Sequence, residues 1–297
     1  MKSCEFSSGG YDLAELIVKG KLIGQGNTAE IFEWGHQHVL KLYRRGLPED
    51  FCINEFEITR YAHEYLKIAP KPIELVHIDD RIGAVYERLS GKTMLRLLLS
   101  QPWRLRKYSM MLARCHVEIQ QKTALSAGPL SAETLSAKTV KEKLKRDIEN
   151  VTLLSFEEKQ SINEYLDTLP DGDCICHFDF HPDNIMVLAG QYYVIDWMTG
   201  CVGDPLSDVA RTALILNYGE IPRVPSLVNA LVKVLQKRIY KIYLSEYVKL
   251  TGASLSDIQK WEMPLAAARL CERIPDGESR QLLNVVNREL SKSAKLD

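Results

Sequence analysis

The residues with the clearest chemical potential lie in one short stretch, His177-Phe178-Asp179-Phe180-His181-Pro182-Asp183-Asn184, followed twelve positions later by Asp196. An amide oxygen and a carboxylate are hard donors that suit Mg²⁺, a cation that takes one or two protein ligands and fills the rest of its shell with water and phosphate oxygens. Asn184 and Asp196 are therefore the candidate metal ligands. Asp179 is not needed as a ligand, and its loop is too short to carry it far from that metal position. A carboxylate placed there can accept the proton of an attacking hydroxyl. His-x-Asp-x-x-x-x-Asn followed by Asp is a spacing that serves phosphoryl transfer. The plainer alternative is a structural turn in which Asp179 and Asn184 merely satisfy backbone amides.

Positioning these groups requires a hairpin. Ile185 to Leu188 and Tyr192 to Ile195 read as strands joined by a three-residue loop, Ala189-Gly190-Gln191. Counted outward from Gly190, this register sets Leu188 opposite Tyr192, Met186 opposite Val194 and Asn184 opposite Asp196. Directly opposed residues have Cβ atoms about 4.5–5.5 Å apart, so the amide and the acid would meet at one end of the hairpin.

A second group lies near the start of the chain. Ile23-Gly24-Gln25-Gly26-Asn27-Thr28-Ala29-Glu30-Ile31 is a Gly-x-Gly turn between two strands. Glycines let backbone N–H groups approach phosphates closely. Lys41 falls on the next strand and Glu55 on the helix after it; a lysine can contact nucleotide phosphates while a glutamate holds its ammonium. In isolation both would read as solvated surface charges.

The surrounding pattern is strand-rich first and helical later. Leu16–Gly24, Glu30–Trp34 and His38–Tyr43 are short apolar or alternating runs, and Ile73–Ile78 with Ile82–Glu87 forms a hairpin around Asp79-Asp80-Arg81. A helix begins near Pro48, with Ile53, Phe56, Tyr61 and Leu66 at roughly helical spacing. After Ser90-Gly91-Lys92 the texture becomes helical. Thr93 can cap a short helix and Pro102 suits the first turn of a longer one to about Gln121. Lys138–Val151 is a charged helix, and Ser155 with Glu158 is a capping box for the next. Helices are expected over Pro205–Asn217, Ser226–Lys249, Ser256–Ile274 with a possible kink at Pro264, and Gly277–Ser291. The expected class is α+β: a small antiparallel-sheet N-terminal nucleotide-binding lobe, residues 1–89, and a larger, mainly helical catalytic and acceptor-binding lobe, residues 90–297. That layout suits a ligand in the cleft between lobes.

Composition narrows the partners. With 297 residues, 45% hydrophobic, and a formal net charge of −1, the chain has no electrostatic footprint for nucleic acid or a membrane surface. No apolar run approaches the roughly 18 residues of a membrane span, and Met1-Lys2-Ser3-Cys4-Glu5 lacks a secretory apolar stretch. Seven cysteines then read as reduced thiols of a cytoplasmic protein. Cys174 and Cys176, one residue apart beside His177, lack the second pair a zinc site needs. No protein partner is evident.

At this point the sequence resembles the aminoglycoside phosphotransferase and choline kinase superfamily, small-molecule relatives of the protein kinases, over roughly Ile23 to Arg273. The resemblance is densest in His177–Asn184, in Val194-Ile195-Asp196-Trp197 and in Gly203-Asp204-Pro205-Leu206-Ser207-Asp208-Val209-Ala210. It implies a bilobal protein-kinase-like fold and a kinase using ATP, or GTP, with Mg²⁺. Asp179 would be the catalytic base, Asn184 and Asp196 the Mg²⁺ ligands, and Lys41 and Glu55 an ion pair. Gly24, Gln25, Gly26, Asn27 and Thr28 would cover the phosphates. Glu87, Arg88 and Leu89 would present backbone groups to adenine, and Asp208 would be a buried aspartate bracing the catalytic loop. Two positions depart from the pattern. Ala29 stands where a third glycine is usual, which would loosen phosphate contacts. Phe178 stands where glycine is common between the His and the Asp, and a ring there would narrow the site.

The acceptor expected is a small-molecule hydroxyl. From Asn217 to Asp297 there are 13 Lys and Arg against 9 Asp and Glu; a polycation or a quaternary amine wants carboxylates or an aromatic cage, so this balance argues against both. Arg269 is a candidate contact for an anionic or sugar-like acceptor, whereas Trp261, Leu265 and Ala268 recur as packing residues do. Two other readings stay open. One is a pseudokinase that binds nucleotide without turnover, against which the intact Lys41, Asp179, Asn184 and Asp196 speak. The other is a protein kinase, against which the short path from Asp196 to Gly203 speaks. His116 reads as core packing, His177 as a loop-ordering residue and His181 as structural.

Overall fold

The structure is a computed structural model that describes residues 19–125, 138–220 and 226–293. The chain divides into two units, one made of Met1–Leu47 and Ile73–Arg88, the other of Pro48–Pro72 and Leu89–Asp297. The segment Pro48–Pro72, placed in the N-terminal lobe from the sequence, groups with the second unit.

The first unit is an antiparallel sheet of β1 (Lys19–Gln25), β2 (Ala29–Trp34), β3 (His38–Tyr43), β4 (Pro72–Ile78) and β5 (Arg81–Glu87), in the order β1-β2-β3-β5-β4. The expected residues Leu16–Val18 lie outside the described residues. Alternation puts Leu40, Leu42 and Val85 on one face, fully buried with Phe32, Trp34, Val76 and Ile78 packed against them. Asp79 and Asp80 both take positive φ, 50° and 59°, the backbone a two-residue hairpin loop requires and that Asp tolerates.

In the second unit α1 (Glu49–Tyr61) runs into a π-helical turn, Ala62–Leu66, that ends on Lys67 with φ 57°. Next come β6 (Lys92–Thr93), α2 (Met94–Ser100), capped by Thr93, and α3 (Leu105–Leu125), entered through a 3₁₀ turn at Pro102. A capping box at Thr139 starts α4 (Val140–Glu149), and the expected one at Ser155 starts α5 (Phe156–Thr168). Then follow β7 (Cys174–Cys176), β8 (Ile185–Leu188), β9 (Gln191–Val194), β10 (Cys201–Gly203) and α6 (Pro205–Tyr218). The C-terminal helices are α7 (Ser226–Thr251), α8 (Leu255–Lys260), α9 (Glu262–Arg269) and α10 (Asp276–Ser293). Where one kinked helix was expected over Ser256–Ile274, the helix breaks at Trp261. Pro264 cannot donate to the carbonyl four residues back, and a new first turn is where a missing N–H costs nothing. The expected packing residues Trp261, Leu265 and Ala268 lie in the core.

The hairpin register differs from the expected one. Leu188 pairs with Gln191, Val187 with Tyr192, Met186 with Tyr193 and Ile185 with Val194, around a two-residue loop, Ala189-Gly190. Both loop residues have positive φ, 51° and 86°. This primed turn matches the twist of the strands, which a longer loop does not need to do. The one-residue shift puts Asn184 opposite Ile195, whose N–H donates to the Asn184 carbonyl at 2.9 Å. Asp196 therefore lies one residue beyond the ladder.

Ala189 is exposed and carries the left-handed conformation without the local hydrogen bonding an Asn would supply. Ala189→Asn, which creates an Asn-Gly loop, is expected to stabilise the protein by about 1 kcal/mol and to raise the midpoint by a few degrees in a thermal melt, with turnover unchanged.

Candidate active site

The segment from His177 to Asn184 has no regular structure, so its backbone polar groups must find other partners. Side chains supply them. The buried Asp208 carboxylate, in the first turn of α6, accepts the His177 N–H at 2.7 Å and the Phe178 N–H at 2.9 Å. Thr199 Oγ1 donates to the His177 carbonyl at 2.9 Å, and Arg211 Nε to the Phe178 carbonyl at 3.3 Å. The Asp179 N–H donates to His177 Nδ1 at 3.2 Å, and Asn184 Nδ2 donates to the Asp179 carbonyl at 2.9 Å.

These contacts assign the state of His177. Its Nδ1 accepts from an amide, which can only donate, so its proton is on Nε2, 3.0 Å from the Ile195 carbonyl. A second proton would break one of the two bonds, and burial pushes the pKa of this ring down. His177 is thus a neutral strut between the loop and the strand leading to Asp196.

Phe178 has φ 64°, a left-handed conformation that costs a non-glycine residue about 1–2 kcal/mol. Its bonded N–H and carbonyl hold it there. The ring is buried at 1% exposure, with the Lys143 ammonium and the Arg211 guanidinium each 5.9 Å from its centroid. The expected narrowing of the site is not seen, because the ring packs into the core.

The turn at Pro182–Asn184 brings Asn184 back to Asp179. Pro182 holds His181 extended, and a 3₁₀ turn closes with the Asn184 N–H on the His181 carbonyl at 3.0 Å. Both Nδ2 protons of Asn184 face Asp179, its carbonyl and its Oδ2 at 3.2 Å. The amide orientation is fixed by those acceptors, so the side-chain oxygen is the atom left to serve a cation. His181 Nδ1 accepts the Asp183 N–H at 3.2 Å while Nε2 lies 3.4 Å from Asp179 Oδ2. Burial opposes ionisation of Asp179, yet the His181, His177 and Arg211 side chains outweigh it and hold the carboxyl well below the usual carboxylate range. Asp179 is about a third exposed, so the ionised group is open to a reactant.

Asp196 has φ 64°, and the 3₁₀ turn Trp197–Thr199 follows it. The Trp197 indole, fully buried, donates to the Val194 carbonyl at 3.1 Å. Burial keeps the pKa of His177 lowered on balance, whereas for His181 burial is outweighed by Asp179 and, to a lesser extent, by Asp183 and Asp196, and the pKa of that ring is raised. Glu55 lies on α1, buried at 2% exposure. Leu89 begins the second unit's later segment.

In the first unit, Gly24 and Gln25 end β1, and Gly26, Asn27 and Thr28 form the turn into β2. Gly26 N–H donates to the Ala29 carbonyl at 2.8 Å, and Arg44 pins the Gly26 carbonyl at 3.0 and 3.2 Å. Neither glycine has positive φ, and a Cβ on either would meet only ordinary contacts, 3.7 Å at Gly24 and 3.9 Å at Gly26. The fold itself therefore makes no demand for glycine at these positions. Ala29 is buried in the ladder opposite Tyr43. Lys41 is buried in β3, its Nζ 5.6 Å from the Tyr43 ring centroid. Of the groups offered to adenine, the Arg88 N–H already donates to the Gln37 carbonyl at 2.8 Å, so that amide is spent.

A sequence profile of the phosphotransferase enzyme family (APH) matches residues 19–241. The chain belongs to this family. No curated protein matches it. The solved structures it resembles share the kinase-like fold of this phosphotransferase. APH(2'')-IIa, in a streptomycin–ATP ternary complex, is 16% identical, covers 92% of each chain and has a TM-score of 0.58. The amicoumacin kinase hAmiN, in complex with AMP-PNP, Ca²⁺ and Ami, is 15% identical over 95% of this chain and 94% of that one, with a TM-score of 0.52. The macrolide 2'-phosphotransferase MphH from Brachybacterium faecium is 16% identical over 85% of this chain and 83% of that one, with a TM-score of 0.50. The α+β bilobal fold inferred from the sequence is thus the fold of this phosphotransferase, with its antiparallel sheet and its larger helical part.

Three supports of the phosphotransferase loop were not assigned from the sequence. Arg211 follows Asp208 by three residues, so one helix face carries both, a signal that was there to be read. His116 Nε2 lies 3.2 Å from Asp208 Oδ2 and its Nδ1 2.7 Å from the Tyr243 hydroxyl; its partners are remote in sequence and left no local trace. Thr199 is equally silent. Arg269, a candidate for acceptor binding, is engaged by Glu272 at 2.8 Å and by the buried Glu278 at 2.6 Å. It braces α9 against α10.

Burial raises the Asp208 pKa, but His116, His177 and the amides it accepts overcome that and depress it below the ordinary 3.8. A depressed carboxyl contributes stability that is present above the unfolded pKa and is lost as pH falls through the folded one. Asp208→Asn keeps one acceptor and turns an NH₂ toward the other amide. It is expected to cost about 3 kcal/mol at neutral pH in urea unfolding, to flatten the loss of stability below about pH 4, and to lower kcat about 100-fold.

Proposed function

We propose that this protein transfers the γ-phosphoryl group of ATP, or GTP, to a hydroxyl of a small molecule, with Asp179 as the base and Asn184 and Asp196 as the Mg²⁺ ligands. The observation that carries the reading is the commitment of both Asn184 amide protons to Asp179, which ties an ionised carboxylate to an amide whose oxygen is left for a hard cation. The donor set, one amide oxygen and one carboxylate, fits Mg²⁺ completed by phosphate and water. When bound, Mg²⁺ would offset charge on the β- and γ-phosphates. Gly24 and Gly26 support a nucleotide as well: the fold has room for a Cβ at both, so glycine there serves something other than packing, as a backbone kept clear for phosphates would require. Gln25, Asn27 and Thr28 belong to the same cover. Lys41 and Glu55 keep the roles that the family resemblance implies, and Glu87 to Leu89 keep theirs apart from the Arg88 amide. The use of a cytoplasmic nucleotide would place the protein in the cytoplasm.

In this mechanism Asp179 orients the acceptor hydroxyl and takes its proton as the new O–P bond forms. The bond from the γ-phosphorus to the β-phosphate oxygen breaks, and its electron pair leaves with ADP. A strongly depressed carboxyl is a weak base, which suits a loose transition state where the proton is released late. It also keeps Asp179 ionised throughout the physiological range.

Carboxylates around Arg211 speak to the acceptor. Asp147 is paired with Lys143 at 3.1 Å and Arg146 at 2.7 Å, and Glu272 with Arg211 and with Arg269. Polycations such as streptomycin, which APH(2'')-IIa binds, need carboxylates that are not already matched. We therefore read the acceptor as neutral or zwitterionic.

Asp179→Asn is expected to lower acceptor-dependent ADP release about 10²–10⁴-fold while nucleotide affinity, measured by calorimetry, stays within a few-fold; retained turnover would remove the proposed base. In a panel of hydroxyl acceptors, neutral and zwitterionic metabolites should drive ADP release and polycationic aminoglycosides should not. Efficient turnover of an aminoglycoside would overturn the acceptor assignment while leaving the kinase reading intact.

A further inference from the structure

A cleft opens in the second unit where the C-terminal half of α6 meets α7, α8 and the start of α9. It contains no residue of the catalytic loop. Asp208, which grips that loop, and Tyr218, which lines the cleft, are ten residues apart on one helix, about 15 Å at the usual rise per residue.

Leu214, Leu244 and Ile258 are buried in its walls, beside the polar Asn217 and Gln259. Two phenols, Tyr218 and Tyr240, and one carboxylate, Glu262, also line it, and among the described residues Glu262 is its only acidic or basic side chain. Burial raises both phenols, and Glu262 adds to it, taking Tyr218 up to about 12, so both remain neutral at physiological pH. Tyr218 donates to Glu262 Oε1 at 3.1 Å. The other oxygen, Oε2, faces the half-exposed Arg288 at a long 3.5 Å. The cleft also lies at the C-terminus of α6, where the last carbonyls carry partial negative charge. Aromatic faces, a carboxylate and a helix C-terminus all favour the same sign of ligand.

We propose that this cleft is a second ligand site, apart from the phosphotransfer centre, for a small organic monocation with an apolar body, such as an alkylammonium. The ammonium takes the place of Arg288 at Glu262 Oε2, beside the Tyr240 and Tyr218 rings, and the alkyl part lies against Leu214, Leu244 and Ile258. Arg288 is a weak competitor, because an exposed ion pair at that distance holds little.

The probe is n-butylammonium, which carries no hydroxyl and cannot serve as a phosphate acceptor, with n-butanol as its neutral counterpart. Calorimetry on the full chain is expected to show saturable binding of n-butylammonium and none of n-butanol. Glu262→Gln, which retains an acceptor for Tyr218, should weaken binding about ten-fold or more, and Arg288→Ala should tighten it a few-fold. Asp179→Asn should bind like the unmodified protein. Equal binding of n-butanol, unchanged affinity in Glu262→Gln, or loss of binding in Asp179→Asn would each overturn the proposal. The last result would move the cation to the phosphotransfer centre, and none of the three depends on turnover.

Discussion

One carboxylate, Asp208, holds two consecutive backbone amides, those of His177 and Phe178. Much of the site follows from this grip. Phe178, the second of the two residues held, takes a left-handed φ of 64°, which turns the chain toward Asp179. The strain is local and modest, whereas two buried amides without partners would cost several times more. The carboxylate is itself buried and must be compensated, which His116 and the amides together achieve. A buried charge thus positions a loop, and the loop leaves Asp179 partly exposed and ionised.

Around this grip the remaining contacts form a closed set. His177 spans from the Asp179 amide to the Ile195 carbonyl, Thr199 holds the His177 carbonyl, and Arg211 holds that of Phe178. Arg211 in turn pairs with Glu272, Glu272 with Arg269, and Arg269 with Glu278, so α6, α9 and α10 are linked to the loop by alternating charges. Linked polar contacts of this kind rigidify a site. The left-handed turns at Phe178 and Asp196 fall at the two ends of the arrangement, where strained backbone aims functional side chains.

Local signals in the chain determine much of its secondary structure. Capping at Thr93 and Ser155, the hairpin at Asp79-Asp80 and the proline-led start of α6 depend on neighbours a few residues away, and the expected elements are there. The loop at Gly190 is one residue shorter than its sequence suggests, because Ala at a left-handed position gives no sign of a two-residue primed turn. That single residue moved Asp196 off the ladder. Likewise the break at Trp261 depended on where the chain resolves the missing N–H of Pro264, and a kink at the proline itself was the expectation.

Residue types and short spacings determined the family, the α+β class and which side chains are chemically competent: an Asp, an Asn and a second Asp in one stretch, and glycines ahead of a lysine. Tertiary structure alone decided the state of those groups. The neutral tautomer of His177, the depressed carboxyl of Asp179 and the orientation of the Asn184 amide arise from partners that the fold supplies, including His116, Thr199 and the Ile195 carbonyl. A proton's position depends on distances of a few ångströms in a low-dielectric interior, and no one-dimensional spacing encodes those when the partners are far apart along the chain.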